Sequence, residues 1–411
     1  MNTLEKDITI KSISKPLLTW YDSNRRTLPW REEPTPYRVW VSEIMLQQTR
    51  VEAVKPYFER FMKALPDIEA LAGADEERLL KLWEGLGYYN RVRNLQKAAK
   101  QIIADYGGTM PADHEKLLSL SGIGSYTAGA IASIAFGIPK PAVDGNVLRV
   151  LARIRMDDRF ISDSKVKQAV EAELEAGMPG DRPGDFNQAM MDIGAMICLP
   201  NGTPRCGDCP LAALCRAHES GKELLYPKKE AKKSRTIEEK TLMILKDENK
   251  IALQKRSPKG LLAGMYEFPS MAGFHTAEEV LEFLSEKGIH AIRIMPLADS
   301  KHIFTHREWH MKCFLVKVDE LEKANLQKNC KNWIFVAQEE TVDQYPIPSA
   351  FAAYSDFLRQ EKPAVTKGKP VFSRKKPVAT KEKPVISGKN PVATKAKADS
   401  SGKKPEVDQR K

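Results

Sequence analysis

The sequence has no long hydrophobic run. Across its 411 residues, no stretch approaches the roughly 18 consecutive apolar residues that a membrane-spanning helix needs. The N-terminal residues also lack the apolar segment and the small-residue cleavage site of a secretion signal. We therefore expect a soluble, cytoplasmic protein without a membrane partner.

Cysteine is scarce, which excludes a fold held together by many disulfides. Of the six cysteines, two stand alone, at Cys313 and Cys330, and are predicted to be ordinary buried thiols. The other four crowd into one short segment, at Cys198, Cys206, Cys209 and Cys215. In a reducing compartment, such crowding indicates metal ligation more than disulfide formation.

The first 361 residues have no net charge, although the whole chain carries a formal charge of +11. Residues 362–411 contain 15 basic and 4 acidic residues and so carry all of that excess. Any nucleic-acid-binding face on the folded part must come from local clustering of Arg and Lys. The tail repeats units such as Lys376-Pro377-Val378, so we expect it to be disordered and to attract phosphates without sequence preference.

The length and the residue pattern predict two folded domains. Residues 1–220 form amphipathic helical segments such as 51–65, 91–106 and 165–176, which indicates an all-α domain. Residues 221–236 are basic and read as an interdomain linker. Residues 237–361 mix short β-rich runs with a helix near 277–285, which indicates an α+β domain.

A Gly-rich segment, Leu120 to Ala128, leads into a helix and resembles a helix-hairpin-helix DNA-binding motif over about 120–136. Gly122 and Gly124 allow a tight turn and a close approach to phosphate, and the following helix start offers unpaired amides. A plain turn between helices is the alternative interpretation.

Two acidic residues stand in contexts that suit catalysis. Asp144 follows the hairpin and begins a helix, where its alternative role is that of an ordinary N-cap. Glu43 lies in the strongly apolar segment 39–46, where an inward carboxyl is costly unless it has a function. A solvated position on a helix surface is the alternative for Glu43.

The four crowded cysteines follow the spacing Cys-x7-Cys-x2-Cys-x5-Cys. Four thiolates at short spacing suit one four-iron four-sulfur cluster, and the absence of paired CxxC knuckles makes structural zinc the weaker alternative.

Further motifs together resemble those of MutY-type adenine DNA glycosylases, which belong to the helix-hairpin-helix, endonuclease III superfamily and carry a MutT-like C-terminal domain. The matching stretches are Leu28 to Arg31, Trp40 to Thr49, Gly85 to Tyr89 and Asn187 to Asp192, besides the hairpin, Asp144 and the cysteines. The resemblance implies an iron-sulfur enzyme of base excision repair. Such an enzyme, expected to be a monomer, hydrolyses the bond to adenine mispaired with 8-oxoguanine or guanine in duplex DNA.

The resemblance also implies catalytic roles. Glu43 is expected to protonate N7 of the flipped adenine, helped by an apolar pocket that favours its neutral form. Asp144 is expected to stabilise the positively charged sugar, with Tyr126 and Asn146 orienting that carboxylate and the attacking water. Relatives that also cleave the strand have a lysine where this sequence has Tyr126, so we expect base removal alone.

Further residues are expected to bind the adenine or to enter the DNA. Those expected around the adenine are Leu28, Trp30, Arg31, Leu46, Val51 and Gln188. Gln48 and Tyr88 resemble residues that intercalate beside the lesion, although a helix-surface amide and a partly buried ring are the alternatives.

The second domain lacks the Arg-Glu-x-x-Glu-Glu run with which MutT-like hydrolases bind magnesium. Its acidic residues between 278 and 286 instead alternate with apolar ones, as in an ordinary amphipathic helix. By resemblance, Phe304-Thr305-His306 contacts 8-oxoguanine. His302, His306 and His310 would line one face of a helix as metal ligands, but their neighbours favour strand.

Three other functions remain open at the level of sequence. An endonuclease III-like enzyme for oxidised pyrimidines is disfavoured by Tyr126 and by the second domain. A nucleotide pyrophosphatase is disfavoured by the missing acidic run. A noncatalytic mismatch-binding protein is disfavoured by the presence of both Glu43 and Asp144.

Overall fold

The computed structural model describes residues 8–230, 234–319 and 330–360. The N-terminal part is helical, as predicted. Its helices are α1 (Ile10–Asn24), α2 (Pro29–Glu32), α3 (Pro36–Leu46), α4 (Val51–Ala64), α5 (Ile68–Gly73), α6 (Glu76–Leu82), α7 (Asn90–Tyr106), α8 (His114–Leu118), α9 (Ser125–Phe136), α10 (Gly145–Arg155), α11 (Ser164–Gly177), α12 (Pro183–Met196) and α13 (Arg216–Glu219). Within the described residues, no helix combines the length and the apolar character that crossing a membrane would require.

Local sequence signals set the helix ends. The side chains of Thr9, Thr35 and Asp67 accept hydrogen bonds from backbone amides in the first turns of α1, α3 and α5. Gly107 and Gly137 end α7 and α9 in the left-handed conformation that glycine adopts without strain. The amphipathic segments predicted at 51–65, 91–106 and 165–176 are confirmed as α4, α7 and α11.

The helical part contains two hydrophobic cores. One is built from residues of α3 to α9, and the other from residues of α1, α10, α11 and α12. The helix α3 belongs to the first core and the start of α10 to the second, so a cleft where the two cores meet is flanked by both helices. The predicted carboxylates, Glu43 and Asp144, stand on these two elements.

The C-terminal part is a mixed sheet with helices, as the sequence predicts. Its elements are β1 (Thr236–Asp247), β2 (Lys250–Lys255), β3 (Tyr266–Glu267), β4 (Ser270–Ala272), α14 (Ala277–Glu286), β5 (Ala291–Ile303), β6 (Arg307–Val318) and β7 (Trp333–Ala337), followed by helices at Glu340–Asp343 and Ala352–Gln360. Within the described residues the strand order is β3-β2-β1-β6-β5, with β4 on β1 and β7 on β2. Strands β1 and β6 run parallel over a long register, and the other pairs are antiparallel.

The two parts of the chain pack directly against each other. Met265, from the loop before β3, is buried within the first helical core. Glu77 of α6 accepts hydrogen bonds from Lys255 at 2.6 Å and from Tyr266 at 2.9 Å. In the predicted linker, a short 3-10 turn at Glu223–Leu225 precedes the start of β1 at Thr236. The predicted disorder of 362–411 lies outside the described residues.

Candidate active site and nucleic-acid interface

Glu43 lies near the end of α3 and is only 5% exposed. Its Oε2 accepts a hydrogen bond of 2.5 Å from the hydroxyl of Tyr126. Burial raises the pKa of Glu43 to about 7, against the opposing effects of the Tyr126 hydrogen bond and of the Arg31 charge. The buried position agrees with an inward carboxyl, and the alternative of a solvated side chain is wrong.

Asp144 is the N-cap of α10, so the alternative structural role is real. Its Oδ1 accepts hydrogen bonds of 2.9 Å from the backbone amides of Asn146 and Val147. Its Oδ2 accepts a bond of 2.6 Å from Asn146 Nδ2, so Asn146 orients this carboxylate as expected. Burial raises the pKa of Asp144, while these three donors act to lower it. Capping fixes the carboxylate in place and leaves it at the wall of a cavity.

The structure corrects the expected partner of Tyr126. We expected its hydroxyl to orient Asp144, but it donates to Glu43, 83 positions away in the chain. Burial, together with the nearby carboxylates, holds the pKa of Tyr126 well above its usual value, so the phenol keeps its proton. Tyr126 therefore acts on the predicted acid instead of on the second carboxylate.

A cavity of about 460 Å³ opens between the two carboxyl groups. It brings together all the side chains predicted for catalysis and for the adenine pocket. These residues are Leu28, Trp30, Arg31, Glu43, Leu46, Val51, Tyr126, Asp144, Asn146 and Gln188. Among its lining residues, Leu28, Trp30, Leu46 and Val51 supply apolar surface suited to a flat aromatic base.

Sequence reasoning missed the ion-pair network that fixes one side of this cavity. The fully buried Asp192 accepts hydrogen bonds of 2.7 and 3.0 Å from Arg31 and of 2.8 and 2.5 Å from Arg26. Burial alone would raise the pKa of Asp192, but the two arginines lower it below its usual value. The Asn187 to Asp192 motif contained this residue, although nothing in the sequence named its partners.

A second cavity, of about 630 Å³, lies between the helical part and the sheet. Predicted DNA contacts from both parts line it: Gln48, Tyr88, Gly122, Phe304, Thr305 and His306. The Tyr88 hydroxyl and Thr305 Oγ1 are 2.8 Å apart, so the two sides touch at this point. Gly124 is the N-cap of α9 and lines neither of these two cavities.

Gln48 lies in the turn after α3, so the alternative of a helix-surface amide is wrong. Tyr88 is 48% exposed, so its ring is partly buried, and that alternative stands beside the expected DNA contact. Both have left-handed backbones, with φ angles of 57° and 50°, which non-glycine residues rarely adopt.

The three histidines of the second domain do not share a helical face. His302 lies in β5, one residue before its end, His306 lies in the turn, and His310 is in β6. The expectation that they are strand and hairpin residues is confirmed. The acidic residues of α14 belong to an amphipathic helix, as predicted, with Val280 and Leu284 buried.

The four crowded cysteines line one cavity at the ends of α10 and α12, and Cys313 and Cys330 are buried free thiols, as expected. Four thiols gathered around one cavity are the donor set with which proteins hold an iron-sulfur cluster.

Polar groups surround these thiols. Arg153 Nη1 lies 3.2 Å from Cys198 Sγ, and Glu223 Oε1 lies 3.6 Å from Cys206 Sγ. His218 Nδ1 is 2.7 Å from the same Glu223 oxygen. Sequence reasoning had assigned Glu223 to the linker and missed this contact, because it depends on how the chain folds back after α13.

Comparison with known proteins agrees with this geometry. Residues 41–176 match the model of the HhH-GPD superfamily of base excision DNA repair proteins, and residues 240–356 match the NUDIX domain. Fold and site thus define a helix-hairpin-helix DNA repair glycosylase with an added NUDIX domain.

The most similar relatives include the adenine DNA glycosylase of Buchnera aphidicola subsp. Acyrthosiphon pisum. It is 36% identical over 321 residues, which are 78% of this chain and 91% of the relative. The Homo sapiens adenine DNA glycosylase is 38% identical over 309 residues, with coverage of 62% and 56%. This chain belongs to the adenine DNA glycosylase family, whose members are DNA-acting enzymes of base excision repair.

Proposed function

We propose that this glycosylase is monofunctional and removes adenine mispaired with 8-oxoguanine or guanine in duplex DNA. The observation that carries the proposal is the pairing of two different carboxyl groups at one cavity. Glu43 has a pKa raised to about 7 by burial, whereas Asp144 accepts three hydrogen bonds that favour its anion. An acid and an anion on opposite sides of a bound nucleotide are what this hydrolysis requires.

The chemistry assigns a role to each carboxyl group. Adenine leaves poorly as an anion, so Glu43 donates its proton to N7 as the bond between N9 and the sugar breaks. The bonding electrons go to the base, and positive charge develops on the sugar. Asp144 stabilises that charge until water adds to the anomeric carbon and releases one proton to the solvent. Asn146 and the backbone amides hold Asp144 in place throughout.

Strand cleavage is not expected. A lyase step needs a neutral amine that forms a Schiff base with the sugar, and the corresponding position holds Tyr126. Its hydroxyl is already engaged as the donor to Glu43. Arg31 and Gln188 line the same cavity and would orient the adenine ring by hydrogen bonds to its edge.

We also propose that Cys198, Cys206, Cys209 and Cys215 hold a four-iron four-sulfur cluster, which their position around one cavity supports. When bound, the cluster would cross-link the segment 198–215 against α10 and α12. Elemental analysis of the purified protein would find iron, with an absorption band near roughly 400 nm. Zinc without that band would refute this assignment.

The second domain is proposed to recognise the base opposite the adenine. Thr305 and Phe304 lie at the tip between β5 and β6 and face Tyr88 across the second cavity. In the described part of the domain, α14 carries its acidic residues on a solvated face, which supports recognition instead of pyrophosphate hydrolysis.

The test is adenine release from a duplex with one adenine opposite 8-oxoguanine, comparing the wild type with Glu43→Gln and Asp144→Asn. Breaks should appear only after alkali treatment, and both variants should lose them. Glu52→Gln is a matched control, because Glu52 is an exposed residue paired with Lys55. Breaks without alkali would indicate lyase chemistry, and binding without release would indicate a noncatalytic protein.

A further inference from the structure

Arg91, at the start of α7, occupies an unusual position for an arginine. Its Nη1 donates to the carbonyl oxygens of Ile44 at 2.7 Å, Met45 at 2.9 Å and Gln47 at 2.7 Å. These carbonyls end α3, where the last groups of a helix lack partners within the helix and carry partial negative charge. Arg91 thus caps the helix that carries Glu43.

The second terminal nitrogen of the guanidinium, Nη2, binds a second loop. Arg91 Nη2 donates to the carbonyl oxygens of Leu86 at 2.9 Å and Gly87 at 3.1 Å. The guanidinium also lies 5.6 Å from the centre of the Tyr88 ring. One side chain therefore joins the loop that ends with Gln48 to the loop that carries Tyr88.

The two loops share a further property. Arg91 binds the carbonyls of Gln47 and Gly87, which form the peptide bonds directly before Gln48 and Tyr88. Gln48 and Tyr88 themselves have positive φ angles of 57° and 50°. Such backbone conformations persist only when surrounding contacts hold them, and they are concentrated at functional sites.

Among the residues that the structure describes, no ion pair joins Arg91 to a carboxylate. Arg93, two positions later, pairs with Glu76. Backbone dipoles of the two loops replace a counter-ion, so the charge of Arg91 depends on both loops being in place. Burial lowers the pKa of Arg91 to about 10, which still leaves it charged at neutral pH.

We propose that Arg91 is a positioning residue for base expulsion: it sets Gln48 and Tyr88 side by side as one wedge that enters the DNA as adenine leaves the stack. The inference rests on the proposed function, which makes these two residues the intercalating pair. Without Arg91 the two loops would move independently, and unstacking would be impaired more than the chemistry that follows it.

The direct test measures the unstacking of the base at the target position. 2-Aminopurine replaces the target adenine opposite 8-oxoguanine, and its fluorescence rises when protein binding unstacks it. All proteins carry Glu43→Gln, so no base is released. At saturating protein, Arg91→Met should reduce the fluorescence rise by about fivefold or more, and Arg91→Lys by less, since an ammonium has fewer donors than a guanidinium.

Arg78→Met is the matched control, because Arg78 is exposed and donates to a single carbonyl, that of Ala64, at 3.3 Å. It should leave the rise unchanged. The thermal midpoint of each variant reports whether it folds. If Arg91→Met does not fold, Arg91→Lys provides the test.

A second measurement separates positioning from general damage. With Glu43 intact, single-turnover rates are compared on adenine opposite 8-oxoguanine and on adenine opposite a tetrahydrofuran abasic analogue, where no base pair must be broken. Arg91→Met should lose about tenfold or more on the first duplex and less than about threefold on the second. Equal losses on both duplexes would overturn the proposal.

The wedge itself is tested in the same fluorescence assay. Gln48→Ala and Tyr88→Ala should each reduce the rise. If they do and Arg91→Met does not, the role of Arg91 is refuted while the proposed function stands. If neither alanine variant changes the rise, the wedge assignment fails, and the inference fails with it.

Discussion

Replacing Tyr126 with Phe should move the pH dependence of adenine release to higher pH. In the proposed mechanism, Glu43 donates a proton only while it is protonated, and its pKa is raised to about 7. The single-turnover rate should therefore fall about tenfold per pH unit above that value. The Tyr126 hydroxyl donates to the Glu43 carboxylate and stabilises the charged form, so its loss raises the pKa further.

The size of the change follows from that one hydrogen bond. A hydrogen bond to a charged group contributes about 1.5 to 3 kcal/mol, and one pKa unit corresponds to about 1.36 kcal/mol. The midpoint of the alkaline limb should therefore rise by about one to two pH units in Tyr126→Phe. At low pH, where Glu43 is protonated in both proteins, the rates should agree within about threefold.

The assay is single-turnover adenine release at saturating enzyme, measured from about pH 5.5 to 9.5. Tyr37→Phe is the matched control, since it removes a buried hydroxyl from α3 that donates to the Leu65 carbonyl and not to Glu43. Its midpoint should equal that of the wild type. An unchanged midpoint in Tyr126→Phe, or one that moves to lower pH, would refute the link between the phenol and the acid.

Three further outcomes follow from the same contacts. Folding raises the pKa of Glu43 from 4.5 to about 7, so the free energy of unfolding falls as the pH rises through that window. Glu43→Gln should therefore raise the free energy of unfolding by up to about 3 kcal/mol at pH 8.5 and leave it unchanged at pH 4. Asp192→Asn leaves two partly buried arginines without their buried carboxylate and should lower the free energy of unfolding in urea by about 3 kcal/mol. Thr305→Ala removes the hydroxyl that meets Tyr88 and should reduce the preference for 8-oxoguanine over guanine by about tenfold or less, measured as a ratio of single-turnover rates.

Each of these outcomes can fail in a specific way. A Glu43→Gln variant that gains as much stability at pH 4 as at pH 8.5 would show that ionisation is not the cause. An Asp192→Asn variant with wild-type stability would mean that solvent reaches the arginines. A Thr305→Ala variant that loses activity equally on both mismatches would place the hydroxyl outside base discrimination.

The helices and strands were largely predictable because their signals are local. Caps such as Thr35 and Asp67 and terminators such as Gly107 act within one turn of the residue concerned. The N-cap role of Asp144 is a local signal of the same kind, because its backbone donors are two and three residues away. The sequence therefore predicted its place at a helix start, although its exposure to a cavity depended on the packing of α10.

The partners of Tyr126, Asp192 and Arg91 could not be predicted, because each joins elements from different parts of the chain. Asp192 lies 161 positions from Arg31, and Tyr126 lies 83 positions from Glu43. Motifs contained Tyr126 and Asp192 without pairing them, and no motif contained Arg91. The partners of Arg91 were further hidden because they are backbone carbonyls, which every residue type provides.

The two carboxyl groups line one cavity but differ in the hydrogen bonds that they accept. Burial raises the pKa of both Glu43 and Asp144, so burial alone cannot give them different roles. The difference lies in the donors: Glu43 receives one hydrogen bond, from Tyr126, whereas Asp144 receives three, two of them from backbone amides at a helix start. A helix start can supply those amides because its first groups have no other partner, so the N-cap position favours the charged form of Asp144 and acts against the effect of burial.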